Sequence, residues 1–292
     1  MNSTVTGQRV ATSTAFGTFG ELLQGRLQPG NRDFLVTLPI ARRSTAVFEW
    51  RPGEPLRVDP PGKRKAWQLI RRMLRLYGYP PEGVLTLTSE LPEGKGMASS
   101  SADMVATARA VALALGVSMP PATIEDLIRS IEPTDGVMYD GVTAFYHREV
   151  RLCAWLGRLP KLLIVGVDEG GTTDTVSYNR IPKRFTREDS LEYRLLLGRL
   201  SVAVRKGDLP TVGQVATCSS IMNQRFHHKR LLPQMLDICR TMGGLGVVVA
   251  HSGTKLGILL HAGTPDHDER LDSISRACRA LTGTTTLDWT LE

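Results

Sequence analysis

Pro92-Glu93-Gly94-Lys95-Gly96-Met97-Ala98-Ser99-Ser100-Ser101-Ala102 joins a glycine-rich turn to a run of hydroxyl residues, and an alanine-rich apolar stretch follows as far as Leu115 and Gly116. Glycines let a backbone turn its N–H groups toward an anion. The free donors of a helix N-terminus add a positive end, and serine hydroxyls reach phosphate oxygens or a divalent cation. The same residues also suit a serine-rich helix cap after a tight turn. Two familiar phosphate loops are excluded by spacing. Gly-x-x-x-x-Gly-Lys-Ser/Thr occurs nowhere in the chain, and Gly94-x-Gly96 lacks a third glycine and opens no recognisable βαβ unit.

Outward from this segment, Gly and Pro punctuate the elements, with no internal repeat and no low-complexity stretch. Residues 36–38, 46–50 and 84–88 read as strands, 66–76 as an amphipathic helix stopped by Gly78 and Pro80, and 100–115 as a long helix. Downstream, 124–131, 191–205, 231–242 and 270–281 carry helical spacing. Residues 143–146, 152–155, 162–167, 246–250, 257–260 and 285–289 are strand-like. The mixture lacks the regular alternation of a doubly wound sheet, which points to an α+β fold. A boundary between two lobes is expected near Pro160 or within 172–188.

With 292 residues, the chain has room for one large domain or two lobes sharing a cleft. Its 41% hydrophobic and 22% charged residues are those of an ordinary globular protein, so order is expected throughout apart from the first dozen residues. A net charge of +7 suits a polyanion such as ATP, a nucleic acid or a membrane surface, and by itself does not choose among them. The densest basic run, Lys63-Arg64-Lys65 with Arg71, Arg72 and Arg75, overlaps a helix whose apolar stripe is Trp67, Ile70, Met73, Leu74 and Tyr77; it reads as a solvated face. Cys153, Cys218, Cys239 and Cys278 form no Cys-x-x-Cys pair, so they read as core thiols in a reducing compartment. No stretch approaches the ~20 apolar residues of a bilayer span, and the first residues carry no apolar signal core. A cytoplasmic location without membrane partners is the resulting expectation.

The opening segment resembles the second motif of the GHMP kinases (galacto-, homoserine, mevalonate and phosphomevalonate kinases), Pro-x-x-x-Gly-Leu-x-Ser-Ser-Ala, departing from it only in Met97 for Leu and the extra Ser101. Two further segments stand where that superfamily keeps its other motifs. Gly17-Thr18-Phe19-Gly20-Glu21-Leu22-Leu23-Gln24-Gly25 occupies the place of the first, substrate-side motif. Ala250-His251-Ser252-Gly253-Thr254-Lys255-Leu256-Gly257 resembles the third, a loop near the nucleotide phosphates. Each alone also fits an ordinary turn. These blocks, together with Glu132-Pro133-Thr134-Asp135, are most similar to the L-threonine kinases, which phosphorylate threonine for the aminopropanol linker of cobalamin.

The resemblance implies an α+β GHMP kinase fold, with a ribosomal protein S5 domain 2-like lobe over residues 1–160, a ferredoxin-like lobe over 161–292, and the active site between them. It implies ATP and Mg²⁺ as cofactors and L-threonine or a similar hydroxy amino acid as substrate. Pro92, Glu93, Gly94, Lys95, Gly96, Met97, Ala98, Ser99, Ser100 and Ser101, with Ser252 and Gly253, are then the nucleotide site, and Ser100 with Glu132 the metal site. Asp135 is the expected general base or orienter at the acceptor hydroxyl, with Asp140 and Glu125 as substitutes for either Asp135 or Glu132. Lys95 is the expected cation beside the transferred phosphoryl group. Gly20, Glu21, Gln24, Thr134 and His251 fall on the substrate side, and Arg42 or Arg43 could pair a substrate carboxylate.

Local chemistry also offers plainer readings. Glu-Pro and Asp-Gly are common turn residues, Lys95 suits a solvated surface, His251 suits a strand end, and His227-His228 reads as surface. Thr18 stands where some GHMP kinases place a lysine, which leaves proton transfer to Asp135 or to the substrate itself. A different acceptor alcohol, or a ligand sensor on the same fold, are the competing expectations. Against nucleic-acid binding stands the lack of any helix-turn-helix or zinc-finger pattern. Oligomeric state stays open, a homodimer included.

Overall fold

The computed structural model describes residues 9–172 and 181–291. Its frame is a long antiparallel hairpin of β1 (Arg9–Leu27) and β2 (Arg32–Trp50). Beyond β2 lie β4 (Val84–Ser89) and the short β3 (Arg57–Asp59), a parallel pair. Beyond β1 come β8 (Gly246–Val249), β9 (Lys255–His261), β7 (Leu162–Asp168) and β10 (Thr286–Trp289), all antiparallel. The strand order is therefore β10-β7-β9-β8-β1-β2-β4-β3, and β5 (Val142–Tyr146) pairs with β2 and with β6 (Arg151–Gly157).

Helices pack on both faces. Against the hairpin lie α2 (Ser99–Leu115), then α1 (Arg64–Leu76) and α3 (Pro121–Ile128). The antiparallel pair α4 (Arg187–Lys206) and α5 (Leu209–Asn223) covers β1 and β8, while α6 (Leu232–Thr241) and α7 (His267–Thr282) cover the remaining strands. Period-two alternation explains how one sheet serves two cores. Leu163, Val165 and Val167 of β7, with Val247 and Val249 of β8, face α6 and α7, whereas Leu162, Ile164 and Val248 join the larger core around α2, α4 and α5. The mixed architecture is the α+β fold expected from the sequence. Among the described residues no helix is long and apolar enough to cross a membrane.

Two elements escape a reading by pattern. β1 is buried continuously from Ala15 to Gln24, so it shows no alternation, and its pairing with β2 slips at Phe16/Gly17, Thr18/Glu21 and Glu21/Leu23. What reads as a loop motif is thus the irregular centre of the longest hairpin. α5 is equally hidden, because its buried face mixes Leu209, Val212 and Val215 with small and polar residues such as Gly213, Ala216, Ser219 and Ser220. A Cβ on Gly213 would sit 2.0 Å from the Leu245 carbonyl oxygen, so glycine sets how closely α5 approaches β8. Residues 36–38 and 46–50 are pieces of the single strand β2, divided in the sequence by Pro39 and a polar run.

Residue 160 falls in the connection between β6 and β7, but the sheet runs across it through the Glu21–Val249 pairing of β1 with β8. The alternative boundary, within 172–188, lies partly outside the described residues.

The three glycine segments converge on one another. Thr18 N–H donates to the Met97 carbonyl at 3.2 Å. A Cβ on Gly20 would lie 2.4 Å from the Val249 carbonyl oxygen, and one on Gly253 2.0 Å from that of Lys95 and 2.2 Å from Gly96 N. These obstacles are backbone atoms, which cannot swing aside. Gly253→Ala is therefore expected to destabilise the fold by more than the ~1–3 kcal/mol of ordinary overpacking. Gly198→Ala, in α4 with nothing within 4 Å, should stabilise it by about 0.5–1 kcal/mol. Chemical denaturation of both variants checks the pair, and equal stabilities would contradict it.

Candidate active site

The converging segments wall a cleft of ≈ 440 Å³ whose other sides are the start of α1, the first turns of α2 and residues 132–135. α2 begins unusually. Its N-cap is Ala98, held at φ 56° in the left-handed region and offering no side-chain acceptor, so the first N–H groups of a helix 17 residues long are not capped by a side chain. Ser99, Ser100 and Ser101 occupy that first turn and line the cleft. An open helix start with hydroxyls in its first turn is an arrangement that favours a negative charge.

Ser100 and Ser101 connect the helix start to the acidic segment. Ser100 Oγ–H donates to Glu132 Oε1, whose other oxygen accepts from Lys65 Nζ. Ser101 Oγ accepts from Thr134 Oγ1 at 2.6 Å and from the Asp135 N–H at 3.2 Å, and lies 3.4 Å from Asp135 Oδ2. Burial, with the negative charge of Glu132 adding to it, lifts the Asp135 carboxyl to about 6. Glu21 is pushed well above the usual carboxylate range, by burial first and Asp135 second, and its Oε2 has no hydrogen-bond partner among the described residues. The deep end of the cleft thus holds two acids that disfavour each other's charge.

His251 stands beside them, buried, with burial and then Lys183 driving its pKa well down, so the ring is neutral. Nδ1 is 2.6 Å from Gln24 Oε1, a contact that needs the proton on Nδ1 and leaves Nε2 as an acceptor 3.4 Å from Lys183 Nζ. His147 packs edge-on at 5.1 Å between ring centroids. Beneath the third glycine segment, the buried Lys229 donates to the Gly253 carbonyl, and burial lowers its pKa to about 8; Lys183 is brought to about 8 by the same cause.

Of the residues singled out in the sequence, Glu21, Glu93, Gly94, Gly96, Met97, Ala98, Ser99, Ser100, Ser101, Glu132, Thr134, Asp135, His251 and Ser252 line the cleft. Pro92, Lys95, Gly20, Gln24 and Gly253 do not. Gly20 and Gly253 are the close-packed backbone described above, and Gln24 lies behind His251. Lys95 turns away from the cleft to pair with Asp168 at 2.8 Å and to donate to the Gly171 carbonyl at 2.7 Å. Neither arginine proposed for a carboxylate reaches the cleft: Arg42 pairs with Asp288 of β10, and Arg43 lies 3.4 Å from Thr14 Oγ1. Asp140 pairs with Arg158 on the surface, and Glu125 holds Tyr139 Oη and the Leu152 N–H.

The basic run corrects its sequence reading. Lys63, Arg64 and Lys65 border the cleft, with Lys63 Nζ bonded to Glu93 and, at 2.7 Å, to the buried Asp103; Arg71, stacked on Trp67, keeps the solvated role. Helical periodicity finds Ile70, Met73 and Leu74 of the apolar stripe of α1, where Ala66 and Leu69 are buried and Trp67 is exposed, but does not report what its N-terminus faces. His227 is likewise half-buried, with Nε2 3.1 Å from the Gly253 oxygen, whereas His228 is exposed as expected. His147, Lys183 and Lys229 lie outside every motif, and no sequence signal marks them.

Ser100 Oγ and Glu132 Oε1 present two hard oxygens side by side at the helix start, a donor set that fits Mg²⁺, which usually takes one or two protein oxygens and keeps water for the rest.

Residues 64–148 match the model for the N-terminal domain of GHMP kinases. The chain is 30% identical over 254 residues to an L-threonine kinase of Citrobacter freundii, covering 85% of this chain and 86% of that protein. It is also 30% identical over 261 residues to one of Salmonella typhimurium, with 87% and 84% covered. Homoserine kinase from Cytophaga hutchinsonii superposes with a TM-score of 0.70 at 13% identity, over 100% of this chain and 97% of that one, a likeness of fold alone. By its fold, by the order of its motifs and by these relatives, the chain belongs to the GHMP kinases.

Proposed function

We propose that the chain transfers the γ-phosphoryl group of ATP to the side-chain hydroxyl of L-threonine, giving O-phospho-L-threonine and ADP. The observation that carries this reading is the uncapped start of α2 lying beside Asp135, a carboxyl whose pKa burial raises, within one cleft. The two relatives named as L-threonine kinases support the choice of acceptor.

The residues divide the work. Backbone N–H groups of Gly94, Gly96 and Ser99–Ser101 receive the triphosphate, with Ser252 closing from the third segment. Ser100 and Glu132 hold Mg²⁺, which when bound neutralises phosphate charge. Asp135 accepts the proton as the hydroxyl oxygen bonds to the γ-phosphorus and the bond to the β,γ-bridging oxygen breaks, leaving ADP. Positioning and electrostatics supply most of such a barrier reduction. Glu21, acidic and unpartnered on one oxygen, receives the substrate ammonium. A cation there favours the charged form of both Glu21 and Asp135, so binding of an amino-acid substrate raises the fraction of Asp135 that is ionised and able to accept a proton. Lys95 in its ion pair with Asp168 steadies the loop.

ADP release with Mg²⁺-ATP, measured against L-threonine, L-serine, L-homoserine and aminopropanol, tests the assignment. L-threonine is expected to be best, and a different winner or no turnover would remove the threonine assignment. Asp135→Asn should lower kcat by about 10²–10⁴, the usual contribution of a positioned base. Because Asp135 must be ionised to act and its pKa stands at about 6, kcat/KM should fall about tenfold per pH unit below that value and level off above it. A profile flat from pH 5 to 8 argues against Asp135 as base.

A further inference from the structure

The start of α1 places a lysine on the two side chains read above as the metal site. Lys65 Nζ hydrogen-bonds Glu132 Oε2 and lies 3.3 Å from Ser100 Oγ, so one ammonium bridges the same two residues whose other contact is with each other. The carboxylate side is fixed and the lysine side is free to move. The Glu132 side chain is 4% exposed and that of Lys65 40%. Lys65 sits in the first turn of α1, on the border of the cleft, with a long side chain that can change rotamer without disturbing the apolar stripe beneath it.

From this geometry we infer that Lys65 is an exchangeable cation: it neutralises Glu132 while the nucleotide is absent, and gives up that place to Mg²⁺ arriving with ATP, whereupon its ammonium pairs with the triphosphate. The inference rests on the reading of Ser100 and Glu132 as the metal site. A buried carboxylate is costly without a partner, so a cation must be present in both states. A divalent ion on Ser100 Oγ and Glu132 Oε1 takes the serine oxygen that the ammonium also contacts and sits beside it on the same carboxylate, so like charge drives Lys65 outward. The phosphates beside the α2 N-terminus then offer it a new charge-assisted partner. Neighbouring Lys63 is not equivalent, since its two carboxylates, Glu93 and Asp103, are separate from the Ser100–Glu132 pair.

Two consequences are opposite in sign, which a merely structural lysine would not produce. Without Lys65, metal alone meets no competitor, while metal-nucleotide loses a phosphate contact. The test is Mn²⁺ binding followed by electron paramagnetic resonance, with and without ADP, for the wild type, Lys65→Met, Arg64→Met and Glu132→Gln. Lys65→Met should bind Mn²⁺ about tenfold more tightly in the absence of nucleotide, the size expected for a lost charge-assisted competitor, and should raise the KM for ATP about tenfold. Arg64→Met removes a neighbouring exposed charge without the contact and should move Mn²⁺ affinity far less. The inference is overturned if Lys65→Met leaves nucleotide-free Mn²⁺ affinity unchanged or weaker, or if Arg64→Met tightens it equally. Glu132→Gln separates the layers. If it abolishes Mn²⁺ binding while Lys65→Met changes nothing, the exchange fails and the metal site stands. If it leaves Mn²⁺ binding intact, both fall.

Discussion

The Gly253 backbone lies directly on the Lys95 carbonyl, and the cleft depends on that contact. It locks the third glycine segment, at the end of β8, to the loop that starts α2, while the Thr18 N–H to Met97 carbonyl bond locks the same loop to the centre of β1. Three segments far apart in sequence thereby become one rigid floor. Side chains could not do this, since any Cβ at Gly20, Gly96 or Gly253 would occupy space already held by a neighbouring backbone or Cβ atom. The strain of Ala98 in the left-handed region belongs to the same geometry, because it turns the chain sharply enough to leave the α2 N-terminus open toward the cleft.

Charge is then arranged in depth. Lysines border the mouth, serines and the helix start form the middle, and two mutually repelling acids with neutral His251 lie at the deep end. This order suits a substrate pair that is strongly anionic at one end and carries an amine and a hydroxyl at the other. Behind the cleft, Lys229 and Lys183 are buried cations whose pKa burial lowers to about 8, and they are close enough to Glu21 to interact with its charge. The cluster keeps positive potential behind the loops without exposing it to solvent.

Much of this was legible in the sequence, and the reasons for the rest are physical. The Gly-Ser segment read as a phosphate cradle or a serine-rich cap at a helix start; the helix does start there, without a side-chain cap, and Glu132 and Asp135 lie beside it. Amphipathic α1 and α7, and the alternating β4, followed their periodicity. β1 did not, because continuous burial erases alternation, nor did α5, whose buried face mixes small and polar residues with apolar ones. Lys63 and Lys65 looked like surface residues, because charge on a helix says nothing of what lies across from it. Lys95 read as a cation at the mouth of the phosphate loop or as a solvated surface lysine, and its side chain pairs with Asp168, which the sequence supplies from the end of β7. Long-range partners of this kind are set by topology rather than by local pattern.

If the three glycine segments form one phosphate-binding floor, nucleotide should affect them as a unit. Hydrogen–deuterium exchange with and without a non-hydrolysable ATP analogue measures this directly. The structure predicts joint protection of residues 17–25, 94–101 and 250–254, with little change in α6 and α7. Protection confined to one segment, or centred on helices away from the cleft, would contradict it.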